Sequence, residues 1–283
     1  MAWYDKYLSI YGRPFSEVPA GIITQTRDRL AAMQSDDPLI SIVVIAYNEE
    51  THLQACLWAL SEIKCRYPLE IIGVDNDSSD RTAEIFEASG IPYYTEHNHS
   101  CGYARRCGLE HARGRYYFDV DSDTLYPPTY YDTMMSRLTR PGVVAVSALW
   151  SYFPDKTHSR LSLTLFEMCR DIFLYVQHFK RPELSVRGLV FAYNADYGRK
   201  VGYRVDIIRG EDGSMALGLK QFGRIAFVYS RKARAVTGYG TLNESSIWQS
   251  LLNRIRIQGR GLARIFYRKD HYEDADDNII KKN

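Results

Sequence analysis

The feature that most constrains the fold is a series of short, almost uninterrupted apolar runs that alternate with helical segments. Residues 39–47 read LISIVVIAY, and residues 69–74 read LEIIGV. Runs of this length that are rich in β-branched residues are typical of strands buried on both faces of a parallel sheet. Helical segments at about 51–64 and 80–89 separate them. This alternation predicts a doubly wound, mostly parallel α/β sheet that is flanked by helices.

The same periodicities extend through most of the chain. They predict further strands at 91–95, 115–120, 143–151, 190–193 and 224–228, and further helices at 103–112, 161–179, 213–221 and 244–267. We find no internal repeat and no clear linker. We therefore expect one domain at residues 39–240, with an N-terminal lead-in at 1–38 and an amphipathic helix and tail at 241–283.

Composition narrows the class of protein. The chain has 283 residues and a net charge of +2, which creates no whole-chain field for nucleic acid, so no nucleic-acid partner is expected. Its five cysteines include no C-x-x-C pair, which indicates neither a disulfide framework nor a zinc site and favours a reduced cytoplasmic location. In the apolar segment 161–179, Glu167, Arg170 and Asp171 argue against a membrane span.

Polar, carboxylate-rich residues follow three of the predicted strands. They read AYNEE at 46–50, DNDSSD at 75–80 and DVDSD at 119–123. Ligands of parallel sheets bind beyond the carboxyl ends of the strands, so these loops are expected to converge on one site. The two carboxylates of Asp121 and Asp123 can clamp one Mg²⁺ or Mn²⁺ that also holds a diphosphate. Taken alone, Asp-x-Asp is also a common loop sequence.

Four motifs in order carry a resemblance to a known family. Residues 41–50 read SIVVIAYNEE, 74–82 read VDNDSSDRT, 102–108 read GYARRCG and 121–128 read DSDTLYPP. Together, over about residues 39–230, they resemble the family 2 glycosyltransferases, which have a GT-A fold of the doubly wound, mostly parallel type. The sequence departs from the usual motifs at Ala46, Asp77 and Arg106, where proline, glycine and asparagine are commoner. At position 77 glycine would adopt a positive φ more freely, although aspartate tolerates such a φ better than most residues.

The resemblance implies a donor site for a nucleotide-sugar, most favourably a UDP-sugar. Tyr47 and Glu49 would line the base and ribose pocket, and Asp75 would accept the N–H of a pyrimidine. Arg105 would lie near the donor. For Tyr47 and Arg105, ordinary packing and a surface salt bridge are the alternatives.

The resemblance also implies roles in metal binding and catalysis. Asp121 would face the ribose and the metal, and Asp123 would ligate the metal directly, with Mn²⁺ or Mg²⁺ as cofactor. A fifth motif, GEDGSMALGL at 210–219, resembles the family's E-D element. It implies that Asp212 is the general base and that Glu211 orients the acceptor or its loop. The alternative is that two acidic residues simply favour a helix N-terminus.

Direct displacement by a hydroxyl that Asp212 deprotonates would invert the anomeric centre. The expected activity is metal-dependent, hexosyltransferase-type transfer to a glycan or lipid-linked acceptor, as in polysaccharide biosynthesis. Two other functions stay open. A nucleotide-sugar-forming nucleotidylyltransferase would need a glycine-rich loop where residues 47–50 read YNEE. A catalytically inactive glycan- or nucleotide-binding module would be expected to lose Asp123 or Asp212.

The C-terminal segment carries one further pattern. Residues 248–268 combine an apolar stripe with arginines that recur every four residues, at Arg256, Arg260, Arg264 and Arg268. Such a helix can contact the inner face of an anionic membrane peripherally, and a solvated face over a packed one is the alternative interpretation. His271 is a weak candidate for a third metal ligand.

Overall fold

A computed structural model describes residues 2–154, 159–238 and 278–280 of the chain. The strands of this part are β1 Ile40–Ala46, β2 Leu69–Asp75, β3 Tyr93–Thr95, β4 Tyr116–Asp121, β5 Thr124–Leu125, β6 Val143–Ala148, β7 Trp150–Tyr152, β8 Phe191–Asn194, β9 Arg224–Val228 and β10 Ala235–Thr237. The α-helices are α1 Ala20–Met33, α2 Leu53–Leu60, α3 Thr82–Ser89, α4 Cys101–His111, α5 Tyr130–Leu138, α6 Arg160–Lys180, α7 Ala195–Val201 and α8 Glu211–Leu219.

A seven-stranded sheet in the order β3-β2-β1-β4-β8-β6-β9 forms the centre of the molecule. β1 pairs in parallel with β2 and β4, and β2 pairs in parallel with β3. Only β8 runs antiparallel to both of its neighbours in this sheet. A second sheet has three strands in the order β5-β10-β7. The prediction of a mostly parallel α/β sheet flanked by helices is therefore confirmed.

Several predicted boundaries differ from those in the structure. The strand predicted at 143–151 divides after Ala148 into β6 and β7, which belong to different sheets. The short strands β5 and β10 and the helices α5 and α7 were not predicted, because short segments carry little periodicity. The helix predicted at 244–267 lies outside the described residues. Within the described residues, no helix combines the length and the apolar composition needed to cross a bilayer.

The N-terminal lead-in packs into the same hydrophobic core as the sheet. Tyr7 and Leu30 are fully buried in one cluster with Ile40 of β1. The side-chain amide of Gln34 pairs with the backbone of β2, donating to the carbonyl oxygen of Ile71 at 3.0 Å and accepting its N–H at 3.1 Å. These contacts make the lead-in an integral part of the core that supports β1 and β2.

The sheet places the three polar loops side by side. β1 lies between β2 and β4, with Ala46 opposite Asp75 and Ile45 opposite Asp121. The carboxyl ends of these strands therefore meet at one edge of the sheet, as the sequence predicted. From a different part of the chain, Ile279 forms an isolated bridge with Ile207, close to the start of α8.

Candidate active site

A cavity of about 750 Å³ opens at the carboxyl ends of β1 and β4. This volume lies in the range of pockets that take small ligands. Its walls come from the loop after β1, the loop after β4, α4, the segment before β8 and the start of α8. Among its lining residues are Tyr47, Glu49, Asn76, Arg105, Asp121, Asp123, Arg187, Gly188, Arg209, Glu211 and Asp212.

Two residues with positive φ shape the loops that follow β1 and β2. Asn48 has a φ of 54° and Asp77 a φ of 60°, and both lie in the left-handed region that favours glycine. The side chain of Asn48 accepts a hydrogen bond from the backbone N–H of Ser79 at 2.8 Å. With its φ of 60°, Asp77 adopts the conformation that glycine would adopt at this position. Aspartate and asparagine tolerate it better than most residues.

The residues predicted to bind the donor differ in their solvent exposure and in whether they line the cavity. Tyr47 is 52% exposed, and its ring meets the ring of His99 edge-on at 5.2 Å. Glu49 lines the cavity and contacts His52 Nδ1 at 2.8 Å. Asp75 is buried at the end of β2, where its carboxylate accepts the N–H of Ser78 at 3.2 Å. Asp75 itself is not among the cavity-lining residues, whereas the next residue along the chain is.

Arg105 occupies a position that its sequence motif does not reveal. Its side chain is 3% exposed, and its guanidinium contacts four carboxylates. The nitrogen–oxygen distances are 2.9 Å to Asp119, 2.9 Å to Asp121, 3.1 Å to Asp212 and 3.5 Å to Glu211. The planar guanidinium presents several donors at once, which suits it to join β4 to the start of α8.

Asp119 is a buried member of this network that the sequence motifs did not single out. It accepts hydrogen bonds from Arg105 at 2.9 Å and from the hydroxyl of Tyr203 at 2.7 Å. Burial raises its pKa to about 6, although Arg105 and Tyr203 both favour the charged form. A charge-assisted network of this kind fixes the orientation of the guanidinium.

Asp121 and Asp123 both line the cavity, and Asp121 contacts Arg105 at 2.9 Å. Burial, followed by the negative charges of Asp121 and Glu49, raises the pKa of Asp123 to about 7. A divalent cation would relieve this repulsion, and carboxylate oxygens suit Mg²⁺ and Mn²⁺. No group of three or more His, Cys, Asp and Glu side chains in the described ranges is arranged to hold a metal. Two carboxylates alone do not complete the shell of such an ion, so an ion held here would need further oxygen ligands, such as those of a phosphate.

Glu211 and Asp212 form the first turn of α8, as the sequence predicted for a helix start. Asp212 Oδ2 accepts the backbone N–H of Gly188 at 2.7 Å. Asp212 Oδ1 lies 3.1 Å from Arg105 Nε but has no hydrogen-bond partner among the described residues. Burial raises the pKa of Asp212 well above its usual range, while Arg105 opposes the shift. Asp212 thus presents a carboxyl oxygen without a hydrogen-bond partner among the described residues, and burial favours the uptake of a proton by this carboxylate.

Gly188 allows this arrangement because it has no side chain. A Cβ at this position would lie 2.0 Å from a guanidinium nitrogen of Arg105 and 2.7 Å from Asp212 Oδ2. The peptide of Gly188 can therefore approach both charged groups directly. The proposed membrane stripe at 248–268 and His271 lie outside the described residues.

The sequence is similar to several glycosyltransferases over part of its length. It is 30% identical over 105 residues to a putative glycosyltransferase, EpsH, from Bacillus subtilis, covering 35% of this chain and 30% of that protein. It is 26% identical over 153 residues to an uncharacterized glycosyltransferase from Rickettsia prowazekii, covering 48% of each chain. The chain thus spans less than half the length of these curated relatives.

Solved structures share the fold at low sequence identity. A mannosyltransferase from Pyrobaculum calidifontis, in complex with GDP-mannose and Mn²⁺, aligns with a TM-score of 0.57 at 17% identity, covering 94% of this chain and 76% of that one. Glucosyl-3-phosphoglycerate synthase from Mycobacterium tuberculosis, in complex with Mn²⁺, UDP-glucose and phosphoglyceric acid, aligns with a TM-score of 0.52 at 18% identity, covering 89% and 87%.

A family model described as glycosyl transferase family 2 matches residues 41–195, which contain β2, β4, Arg105 and all of β1 except its first residue. That is more than half of the chain, and it includes the loops after β1 and β2 and the Asp121–Asp123 pair. The chain belongs to glycosyl transferase family 2.

Proposed function

We propose that this chain transfers a sugar from a UDP-sugar to an acceptor hydroxyl, with inversion at the anomeric carbon and with Mn²⁺ or Mg²⁺ as cofactor. The observation that carries the proposal is that Arg105 joins Asp121 and Asp212 in one cavity. A pair of oxygen ligands for a metal and a carboxylate with a raised pKa then face the same space. Inversion needs a base that takes the proton of the acceptor on the side opposite the leaving group, and a metal stabilises the charge on the leaving diphosphate.

Each residue has a part in this reaction. Asp121 and Asp123 would hold the metal, which supplies positive charge to the leaving diphosphate. Asp212 takes the proton of the acceptor hydroxyl as that oxygen attacks the sugar. Glu211 orients the acceptor side, and Arg105 fixes Asp212 relative to the metal ligands. Tyr47 and Glu49, which line the cavity, receive the base and ribose, and Asp75 at the end of β2 would accept the N–H of the base.

The complexes of structurally similar proteins support a nucleotide-sugar and a metal, but they differ in the base. The Pyrobaculum enzyme was solved with GDP-mannose and the Mycobacterium enzyme with UDP-glucose, both with Mn²⁺. One sequence relative is named as a transferase that uses undecaprenyl phosphate. We propose a glycan or lipid-linked acceptor on the same basis.

The direct test is to incubate the purified chain with a panel of labelled nucleotide-sugars and Mn²⁺, with and without acceptors. A glycosyltransferase releases nucleoside diphosphate from the donor faster when the acceptor is present than when it is absent. A nucleotidylyltransferase would instead form nucleotide-sugar from nucleoside triphosphate and sugar phosphate. An inactive binding module would bind donor without turnover. Proton NMR of the product linkage would distinguish inversion from retention.

The metal ligands give a first quantitative prediction. We expect Mn²⁺ to strengthen UDP binding several-fold, and Asp123→Ala to remove this gain, because the ion would join a carboxylate to the diphosphate. Calorimetry with Mn²⁺ and with EDTA measures both quantities. Asp28→Ala, at an exposed position of α1, serves as the matched control. Equal UDP affinity with and without Mn²⁺ in the wild type would contradict the metal assignment.

The base pocket gives a second prediction. If Asp75 accepts the N3–H of uracil, UDP should bind more tightly than CDP, ADP or GDP, by about 1–3 kcal/mol, because an acceptor that faces an unmatched base loses its partner. CDP is the sharpest comparison, since cytosine is the same size as uracil but has no N3–H. Competition against a fluorescent UDP analogue measures all four. Equal affinity for UDP and CDP would rule out this role for Asp75.

A further inference from the structure

Helix α6 exposes an apolar surface that no described residue covers. Six large apolar side chains, each between 44% and 71% exposed, recur at intervals of four and three residues, and we call them the α6 face: Leu161, Leu165, Met168, Ile172, Tyr175 and Phe179. The face is about 27 Å long at the rise of an α-helix. Contiguous apolar surfaces of this size mark an interaction site more often than a solvent-facing surface.

The charged residues in the middle of α6 all point away from this face. Glu167 accepts hydrogen bonds from Ser151 and from the backbone of Tyr152. The guanidinium of Arg170 donates to the carbonyl oxygen of Trp150, and Asp171 forms an ion pair with Arg234. These bonds fix the rotation of the helix about its axis. The apolar face is therefore held outward by the fold.

Basic residues border the α6 face at both ends. Arg160 and Lys180 are the first and last residues of the helix, and both are exposed. At the Lys180 end, the ring of Tyr229 extends the face, with its centroid 5.1 Å from that of Tyr175. The exposed residues Arg231 and Lys232 follow Tyr229 in the chain. The exposed residues of α6 include no acidic side chain.

This charge pattern selects the kind of partner. A second copy of the chain, paired through α6 in either direction, would bring basic ends together and repel itself. An apolar surface bordered by basic residues complements a lipid surface with anionic headgroups. Aromatic residues such as Tyr175 and Tyr229 are also favoured at the boundary between headgroups and acyl chains.

The carboxyl end of α6 leads to the cavity. α6 is followed directly by a short 3₁₀ turn at Pro182–Ser185, and Glu183 and Leu184 of this turn line the cavity. A lipid surface on α6 would therefore lie next to the acceptor side of the site. An acceptor hydroxyl carried on a lipid could enter the cavity without leaving that surface.

We propose that the α6 face lies in the plane of an anionic lipid surface and that the acceptor is lipid-borne. The identity of the acceptor rests on the proposed function, whereas the lipid contact does not. Because Glu167, Arg170 and Asp171 are bonded to the protein on the opposite side of the helix, α6 lies along the surface rather than across it.

The test is sedimentation of the full-length chain with vesicles of phosphatidylcholine alone or mixed with phosphatidylglycerol. We expect binding to the mixed vesicles that weakens with salt. Leu165→Glu and Ile172→Glu should each lower the partition coefficient at least about tenfold, since each withdraws an apolar side chain from the acyl boundary. Leu8→Glu is the matched control, since it changes a leucine of similar exposure, 37%, away from α6.

Four outcomes would overturn the proposal. Equal vesicle binding by the wild type and both α6 variants would show that another part of the chain contacts the lipid. A variant with glutamine at Arg256, Arg260, Arg264 and Arg268 would then test whether the C-terminal arginines make that contact. A dimer in sedimentation velocity that Ile172→Glu dissociates would identify a second copy as the partner. A lower melting temperature for Ile172→Glu than for Leu8→Glu would show that the chain itself covers the face. Sedimentation of the wild type with neither vesicle would exclude lipid.

The proposed function is tested separately on the same proteins. In the absence of vesicles, Leu165→Glu and Ile172→Glu should bind UDP with Mn²⁺ as the wild type does, because neither residue lines the cavity. If the wild type binds vesicles but not a nucleotide-sugar, the proposed function fails and the lipid contact stands. If the wild type binds the nucleotide-sugar but not vesicles, the lipid contact fails and the proposed function stands.

Discussion

Asp212→Asn should lower turnover by about 10²–10⁴-fold, the usual contribution of a positioned general base. Asparagine is nearly isosteric with aspartate, and its amide oxygen can still accept the N–H of Gly188, which Asp212 Oδ2 accepts at 2.7 Å. It cannot take up a proton from the acceptor hydroxyl. Donor affinity should be preserved, because the loops after β1 and β2 and the Asp121–Asp123 pair are unchanged.

The measurement is a UDP-release assay at saturating donor and acceptor, with calorimetric UDP affinity on the same variant. Glu211→Gln is the comparison variant, and it should lower turnover less than Asp212→Asn does: it neutralises the neighbouring carboxylate of the same helix turn, which lies farther from Arg105 Nε at 3.5 Å. Near-normal turnover in Asp212→Asn, together with a large loss in Glu211→Gln, would show that Glu211 rather than Asp212 is the general base. Loss of UDP affinity in Asp212→Asn would place this residue in the donor site.

Arg105→Met should both destabilise the fold and abolish turnover. The substitution keeps a long side chain but removes the only positive charge that the described residues place within contact of Asp119, Asp121, Glu211 and Asp212 together. Leaving buried carboxylates without their partner typically costs about 3–5 kcal/mol in free energy of unfolding. Turnover should fall because Asp212 and the metal ligands lose the group that orients them.

Urea unfolding, followed by circular dichroism, measures the free energy, and UDP release measures turnover. Arg106→Met is the matched control: this neighbour on α4 is 40% exposed and forms a 3.8 Å ion pair with Glu110, so its loss should have little effect. Arg105→Lys should restore part of the stability but little of the turnover, because one ammonium group cannot replace a planar fork. Unchanged stability in Arg105→Met would show that the carboxylates are neutral in the fold.

The parallel part of the sheet could be predicted from the sequence because its signal is local. Residues 39–47 and 69–74 are almost uninterrupted apolar runs rich in β-branched residues, which are typical of a strand covered on both sides. The ordered motifs also brought Tyr47, Asp121 and Asp212 to one expected site, and all three line one cavity. By contrast, the direction of β8 depends on its neighbours β4 and β6, which its own four residues do not specify.

The glycine-like turn at Asp77 could be predicted only in part from the sequence. The motif comparison identified the position as unusual, and the structure gives it a φ of 60°. The sequence also indicated an apolar helix near 161–179 with three charges in it. Only packing determined that Glu167, Arg170 and Asp171 bond to the protein while the α6 face remains uncovered by the described residues.

The sequence by itself determined the order of the strands' apolar runs, the acidic loops that follow them and the family to which these motifs belong. The tertiary structure decided what Arg105 does. Its four carboxylate partners come from β4 and α8, which are about ninety residues apart, so no local pattern connects them. A buried guanidinium costs free energy unless it is paired and hydrogen-bonded, and here the packing of distant elements brings the carboxylates to it.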